Sequence, residues 1–258
     1  MVMKTHPTAI IHPKAKVADD VKVGPYSLIG EYVEISSGCN IGANCVIKGY
    51  TSIGRNCKIF TGAVIGSPPQ DLKYKNEVTF LEIGDNNTIR EYVTINPATK
   101  KDKKTIIGNN NLIMAYSHIA HDCLIGNNTI IANAGTLAGY VTIEDYAVVG
   151  GLVAIHQFVR VGSYSIIGGC SKVVQDVVPY SMCDGHPAKV YGLNVIGLKR
   201  ANFPPNIRRD LRKAFKILFK SQLSLSHAIK RINEEIEKSH EITYLINFIK
   251  NSKRGICR

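Results

Sequence analysis

Aliphatic residues recur at every sixth position from Ile11 to Val173, with only three exceptions, Asp71, Glu77 and Lys101. Neither the helical period of 3.6 nor the strand period of 2 explains a spacing of six. A small residue usually stands two positions before the next aliphatic, and a glycine often follows the aliphatic directly. The pattern therefore predicts a series of short strands, each with one large and one small side chain pointing inward.

Three such strands and three turns close a triangular coil of about eighteen residues, and stacked coils pair through parallel backbone hydrogen bonds. The number of matching hexapeptides predicts about eight coils. Glycines such as Gly24 and Gly42 are expected where the chain turns with positive φ. We predict a mainly β protein, a parallel β-helix of hexapeptide repeats. Sequences with this repeat resemble the left-handed β-helix proteins, and this resemblance implies the hand of the coil.

The repeat ends near Val177, and a different pattern begins after Pro204. Apolar residues then follow helical spacing in three stripes, at 207–219, 225–236 and 242–249. We predict two domains: a β-helix over residues 1–190, with projecting loops at 67–82 and 96–106, and a C-terminal α-helical domain over residues 191–258. The loops are expected to leave the coil at its corners, where insertions often carry function.

Composition narrows the class of protein. The 258 residues are 45% hydrophobic, which is enough for a sizeable core. No apolar run approaches the roughly 20 residues of a membrane span, and no secretory signal is evident, so we predict a cytoplasmic protein without an integral membrane segment. The sequence has seven cysteines, and four of them occupy the small inward slot, which favours reduced core thiols over disulfides or metal ligands: Cys39, Cys45, Cys57 and Cys123.

Positive charge is concentrated after the repeat. Residues 191–258 hold fifteen Lys or Arg and five Asp or Glu, a net +10 of the chain's +12. A basic cluster should attract an anionic partner; it comprises Arg200, Arg208, Arg209, Arg212, Lys213 and Lys216. Nucleic acid is not expected, because there is no binding motif and no array of aromatic residues among the cations. An acidic protein or a phosphorylated small molecule is favoured over a helix face that is merely solvated.

The strongest candidate for chemistry is the pair His121–Asp122, which precedes an inward-facing cysteine and so lies at a turn outside the core. Gly139–Tyr140 follows one coil later and His156–Gln157 about two coils later. These residues, with His118, can line one vertical edge of the prism. Histidine is the usual general base at neutral pH. The phase of the repeat therefore predicts an active site along this edge.

Six motifs distinguish the sequence from other hexapeptide-repeat proteins: Gln70–Tyr74, His118–Cys123, Leu137–Gly139, His156–Phe158, Gly168–Ser171 and Gly197–Arg200. Through these motifs the sequence resembles the UDP-N-acetylglucosamine 3-O-acyltransferases of lipid A synthesis across nearly its full length. The resemblance implies a cytoplasmic homotrimer with an active site in each cleft between subunits. Such an enzyme transfers a 3-hydroxyacyl chain from acyl carrier protein to the 3-hydroxyl of UDP-N-acetylglucosamine, as the first step of lipid A biosynthesis, without a metal or other cofactor.

The same resemblance implies roles for individual residues. His121 would be the general base, Asp122 would orient its ring, and the Gly139 N–H would stabilise the oxyanion. The implied substrate-binding residues are Gln70, Asp71, Lys73, His118, Tyr140, His156, Gln157, Gly169, Asn194 and Arg200. Among them, Asn194 and Arg200 would hold the uridine diphosphate, and Gly169 would leave the acyl groove open for a long chain. The acidic carrier protein would be the partner of the basic C-terminal region.

The sequence departs from the family pattern at three positions. Tyr140 stands where a third site histidine is common, and Ile196 and Ala201 replace charged residues that often flank the nucleotide.

One alternative function is that of the related N-acyltransferase of the same pathway, which usually has an additional N-terminal domain, whereas here the repeat begins by residue 11. Another is a trimeric β-helix carbonic anhydrase with zinc on His118, His121 and His156, although its paired histidines are typically five apart. A structural or ice-binding solenoid would need flat rows of threonine.

Overall fold

A computed structural model describes residues 5–258. The first of its three sheets contains β1 (Ile10–Ile11), β4 (Leu28–Ile29), β7 (Val46–Ile47), β10 (Val64–Ile65), β13 (Thr94–Ile95), β16 (His118–Ile119), β19 (Thr136–Leu137), β22 (Ala154–Ile155) and β25 (Lys172–Val173). The second contains β2 (Lys16–Val17), β5 (Glu34–Ile35), β8 (Tyr50–Ile53), β11 (Phe80–Ile83), β14 (Lys104–Ile107), β17 (Leu124–Ile125), β20 (Thr142–Ile143) and β23 (Arg160–Val161).

The third sheet contains β3 (Lys22–Val23), β6 (Asn40–Ile41), β9 (Lys58–Ile59), β12 (Thr88–Ile89), β15 (Leu112–Ile113), β18 (Ile130–Ile131), β21 (Val148–Val149), β24 (Ile166–Ile167), β26 (Ser181–Gly185) and β27 (Ala188–Leu193). Strands pair in parallel with those of the next coil, except that β26 and β27 form an antiparallel hairpin. The chain passes from sheet to sheet in a fixed order and forms a left-handed parallel β-helix of about eight coils, as predicted.

The core of the prism is formed by the repeated aliphatic positions. Ile113, Ile119 and Ile131, on β15, β16 and β18, are fully buried. The small inward slots are buried as well, and all seven cysteines are free thiols, of which Cys170 is exposed. Full burial of each isoleucine contributes roughly 2 kcal/mol of hydrophobic stabilisation. The six-residue spacing is therefore a packing requirement of the coil.

The glycines that follow the aliphatic positions have a different role from the one we predicted. Eleven glycines directly follow a repeated aliphatic residue, and among them only Gly66 has a positive φ, at 76°. In most coils the left-handed conformation lies three residues after the aliphatic residue, as at Asn44 and Tyr116. A Cβ on Gly24 would come within 2.6 Å of Gly42 O in the next coil. These glycines are required because the backbones of stacked coils approach closely there.

Both insertions leave the prism at the corner between the first and second sheets, which we call the first corner. One connects β10 to β11, and the other connects β13 to β14. Residues 80–82 and 104–106 were predicted as loop, but they belong to β11 and β14. The reason is that β11 pairs over four residues with both β8 and β14. The two loops are therefore shorter than predicted, and they flank the same corner.

Four helices follow the hairpin: α1 (Val195–Arg200), α2 (Pro205–Lys220), α3 (Leu225–Glu235) and α4 (His240–Lys250). The last three match the predicted stripes, whereas α1 was not predicted. Helices α2 to α4 enclose a second hydrophobic cluster, which includes Leu211, Leu218 and Leu245. This cluster packs against Tyr180 at the end of the β-helix. The division predicted between residues 190 and 191 falls within β27 and stays a prediction.

Candidate active site

His121 and Asp122 lie at the first corner, immediately after β16. Their neighbours Ile119 and Cys123 are fully buried, which fixes the corner against the core. Asp122 has a φ of 60°, a left-handed conformation that aspartate tolerates better than most residues. The backbone therefore turns sharply here, and both side chains lie outside the aliphatic core.

The two side chains form a hydrogen-bonded pair, with His121 Nδ1 2.9 Å from Asp122 Oδ2. Burial raises the pKa of Asp122, but the hydrogen bonds from His121 and Thr99 outweigh burial and lower this pKa from its usual value. The carboxylate is thus ionised at neutral pH and can only accept. His121 therefore donates from Nδ1, and its Nε2 carries the free lone pair of a general base.

Gly139 lies one coil above His121 and packs directly against the imidazole ring. A Cβ added to Gly139 would come within 2.6 Å of His121 Nε2 and 2.9 Å of Nδ1. Among residues 5–258, the Gly139 N–H has no hydrogen-bond acceptor, whereas the next N–H, that of Tyr140, bonds to His121 O at 3.0 Å. A free backbone donor beside the lone pair of an imidazole is the arrangement needed to stabilise an oxyanion.

The loop between β10 and β11 brings Asp71 to the other side of the ring. Asp71 Oδ2 lies 3.9 Å from His121 Nε2, and Asp71 Oδ1 accepts the backbone N–H of Lys73 at 2.8 Å. Asn96 Nδ2 holds the root of this loop by donating to Ser67 O at 3.0 Å. Gln70 is exposed on the same loop. The carboxylate of Asp71 therefore lies close to the free nitrogen of His121.

Two other candidate histidines lie along the same edge, His118 on the same coil as His121 and His156 two coils further on. His118 projects outward from β16, and its Nδ1 is 2.7 Å from Thr94 Oγ1. Burial, and then the neighbouring His121, lower the pKa of His118 below its usual value, so its ring is neutral at neutral pH. His156 is exposed after β22, with Nδ1 3.1 Å from Gln157 O. The exposed side chains of this edge offer polar groups over two coils above His121.

The structure places three predicted site residues elsewhere. Asn194 caps α1 by accepting the Gly197 N–H at 3.0 Å, and Arg200 ends the same helix. Both line a cavity of about 660 Å³ on the third sheet, together with Val148, Ile166, Gly168, Met182 and Ile196. Gly169 is exposed at the corner between the third and first sheets. In a triangular prism the third sheet is the face opposite the first corner, so one chain does not bring these residues to His121.

Sequence reasoning missed several residues of the site. Thr99 donates to Asp122 Oδ2 from both its N–H, at 3.1 Å, and its hydroxyl, at 2.7 Å. Thr105 Oγ1 accepts the Asp122 N–H at 2.8 Å. Both threonines belong to the second interruption of the repeat, for which we predicted only a projecting loop. The position of the interruption indicated that this loop could carry function, but no spacing in the sequence could have shown that Thr99 contacts the Asp122 carboxylate.

A second surface carries the basic cluster. Arg209, Arg212, Lys213, Lys216 and Lys220 line a groove of about 450 Å³, whose remaining walls include Phe215 and Phe219. Arg200 lies in the separate cavity on the third sheet, and Arg208 bonds to Phe203 O. Four of the six predicted cations therefore line a basic groove on α2, Arg200 lies beside the β-helix, and Arg208 lines neither cavity.

Two other features bear on the alternatives. Within residues 5–258, no group of three or more His, Cys, Asp or Glu is arranged to hold a metal ion, and this includes His118, His121 and His156. Over the same range, no helix combines the length and the apolar composition that crossing a membrane requires.

Two family models match the chain. Residues 104–138 match the bacterial transferase hexapeptide repeats, and residues 176–257 match the second domain of UDP-N-acetylglucosamine O-acyltransferase. The acyl-(acyl-carrier-protein)–UDP-N-acetylglucosamine O-acyltransferase of Thermodesulfovibrio yellowstonii is 54% identical over 98% of both chains. The protein of the same name from Aquifex aeolicus is 52% identical, over 99% of this chain and 98% of its own.

Solved structures agree with these sequence matches. LpxA from Acinetobacter baumannii is 44% identical, with a TM-score of 0.94 over 99% of this chain and 100% of its own. LpxA from Bacteroides fragilis, a UDP-N-acetylglucosamine acyltransferase, is also 44% identical, with a TM-score of 0.95 over 98% of this chain and 99% of its own. The likeness includes both the β-helix and the helices that follow it.

Proposed function

The chain belongs to the UDP-N-acetylglucosamine O-acyltransferase family, and from this membership we propose how its residues perform the reaction. The protein is an O-acyltransferase that uses acyl carrier protein as the acyl donor and UDP-N-acetylglucosamine as the acceptor. We propose that the acyl group is 3-hydroxyacyl, that the acceptor atom is the 3-hydroxyl oxygen, and that the product enters lipid A biosynthesis. Neither the N-acyltransferase nor the carbonic anhydrase alternative is favoured.

The single observation that carries the mechanism is the hydrogen bond between His121 Nδ1 and Asp122 Oδ2. It leaves His121 Nε2 free to remove the proton of the 3-hydroxyl as that oxygen attacks the thioester carbon. The Gly139 N–H stabilises the negative charge that develops on the carbonyl oxygen. When the C–S bond breaks, the imidazolium returns its proton to the leaving thiolate, so the base is regenerated without any other reactant.

Other residues of the first corner support substrate binding in this proposal. Asp71 and Lys73, on the loop opposite His121, position the sugar and the acyl group. His118 and Gln70 line the same cleft. The exposed pair His156–Gln157 continues the cleft along the edge, where the acyl chain and its pantetheine arm need an extended surface. Gly169 lies outside this corner, between the third and first sheets, and we propose that it leaves the acyl groove open for a long chain.

The position of the nucleotide-binding residues supports a homotrimer. Asn194 and Arg200 lie on the third sheet, opposite His121, so one chain cannot supply both parts of the site. A second copy can do so if its third sheet faces the first corner of its neighbour, and a closed ring with this heterologous contact satisfies every copy. We propose that Arg200 pairs with the diphosphate across this contact. Ile196 and Ala201 add no charge, so Arg200 carries the electrostatic part of nucleotide binding.

The basic groove on α2 is the proposed docking surface for the carrier protein. Its cations surround an apolar wall that includes Phe215 and Phe219, a combination suited to an acidic helix with apolar residues. We also propose that the protein works in the cytoplasm. The seven free cysteines support this location, because thiols persist in a reducing compartment.

The function is tested by incubating the protein with UDP-N-acetylglucosamine and a series of 3-hydroxyacyl carrier proteins of increasing chain length. The expected product is a 3-O-ester, with the fastest transfer from a long chain. The matching acyl-pantetheine, which lacks the carrier, should be a poor donor because it cannot use the basic groove. Absence of ester product with every chain length would contradict the function, and a preference for the shortest chain would contradict the role of Gly169.

A further inference from the structure

One oxygen of Asp122 accepts three hydrogen bonds. His121 Nδ1, Thr99 Oγ1 and Thr99 N lie at 2.9, 2.7 and 3.1 Å from Asp122 Oδ2. Because the carboxylate is ionised, all three groups are donors. The Asp122 N–H is held separately by Thr105. Thr99, in the loop between β13 and β14, therefore fixes the carboxylate of the residue that orients the general base, and Thr105, in β14, fixes its backbone.

The hydroxyl of Thr99 has a second partner, Tyr140 OH, at 3.2 Å. Since Thr99 uses its only hydroxyl hydrogen on Asp122, it must accept from Tyr140. Thr99 is buried, so water does not compete for this bond. The result is a chain of fixed direction, in which Tyr140 donates to Thr99, Thr99 donates to Asp122, and His121 donates to the same oxygen.

The ring of Tyr140 is held on both sides. Its edge packs against His121, with ring centroids 5.4 Å apart, and it stacks on Phe158 at 4.9 Å. This packing aims the hydroxyl at the inserted loop. A histidine at the same position would have a shorter reach, so the contact with Thr99 is a specific property of the tyrosine.

We propose that Thr99 and Tyr140 are positioning residues, which act on acyl transfer by holding the Asp122 carboxylate in line with His121 Nδ1. Buried hydrogen bonds to a charged group are strong because the low local dielectric leaves no good substitute for them. The effect on kcat that this inference predicts rests on the proposed function. Its structural readout, the tautomer of His121, does not depend on activity.

The first test replaces Thr99 with valine, which keeps the shape and the backbone donor but removes the hydroxyl. kcat is expected to fall about tenfold to a hundredfold, while KM for UDP-N-acetylglucosamine changes less than about threefold. Thr99→Ser, which restores the hydroxyl, should return kcat to within about threefold of the wild type. A loss that appears in KM instead, or a serine variant as slow as the valine variant, would overturn the proposal.

Coupling between variants tests whether Thr99 acts through Asp122. In an Asp122→Ala background, Thr99→Val should cost less than about twofold further, because the group that it holds is gone. Tyr140→Phe should lower kcat about two- to fivefold in the wild type and have no effect in the Thr99→Val background. Independent, multiplicative losses in either pair would contradict the chain of hydrogen bonds.

Histidine labelled with ¹⁵N provides the readout that does not need activity. The resonances of His121, identified by their loss in His121→Gln, should report a proton on Nδ1 and none on Nε2 in the wild type, and a mixture of tautomers in Thr99→Val. An unchanged tautomer in Thr99→Val would refute the positioning role even if the wild type proved inactive. An inactive wild type with the expected tautomer change would refute the proposed function alone.

Discussion

Replacing His121 with glutamine is expected to lower kcat for acyl transfer by about a thousandfold or more. The amide has no basic nitrogen, so nothing removes the proton from the sugar hydroxyl as it attacks, and general-base catalysis of this kind contributes about 10² to 10⁴ in rate. Loss of the ring also removes one of the three hydrogen-bond donors to Asp122 Oδ2. Steady-state rates with saturating substrates measure the effect.

The matched control is His240→Gln, because His240 is exposed at the start of α4 and outside the proposed site. It should keep wild-type kcat. Binding of UDP-N-acetylglucosamine to the His121 variant, measured by calorimetry, should change by less than about threefold, since His121 acts on the transition state more than on the bound substrate. A His121 variant that retains more than about a tenth of the wild-type kcat would rule out its role as the base.

Gly139→Ala should have the second largest effect, a fall in kcat of about a hundredfold to a thousandfold. The added Cβ cannot coexist with the His121 ring, which lies within 2.6 Å at Nε2. The ring must rotate away, which breaks its bond to Asp122 and separates the base from the Gly139 N–H. Loss of one oxyanion donor alone typically costs about 10² to 10³ in kcat.

Gly151→Ala is the matched control for this substitution. A Cβ at Gly151 would meet only Asn133 O at 3.4 Å, an ordinary contact. Its kcat should stay within about twofold of the wild type. Both variants should unfold at similar temperatures, which separates a displaced base from a damaged fold. Near-normal kcat for Gly139→Ala would mean that His121 works in a position other than the one observed.

The repeat made much of the fold predictable, because its spacing is also the spacing of the core. Ile119 and Cys123 are buried as expected, and counting eighteen residues from His121 leads to Gly139, which indeed packs on the ring. The pattern predicted α2 to α4 for a similar reason, since each buries an apolar stripe. Glycine was misinterpreted because a requirement for close approach and a requirement for positive φ select the same residue.

The placement of the rest of the site does not follow from the repeat, because it depends on parts of the chain that have no phase. Thr99 and Asp71 belong to insertions, whose course follows from contacts such as that of Asn96 rather than from a period. Arg200 follows the end of the repeat, so no count of coils relates it to His121. Only the three-dimensional fold shows that Arg200 lies on the face opposite the first corner, and this position is the reason for proposing a site shared between copies.

The most direct test of that shared site is complementation between two inactive variants, His121→Gln and Arg200→Glu. Co-expressed in equal amounts with different tags and purified as mixed trimers, they form some sites that combine an intact His121 from one copy with an intact Arg200 from the next. Each mixed trimer has one intact site of three, so the purified mixed trimers should show about a third of the wild-type activity at low UDP-N-acetylglucosamine, although each variant alone is inactive. Mixed trimers as inactive as either parent would contradict a site built from two copies.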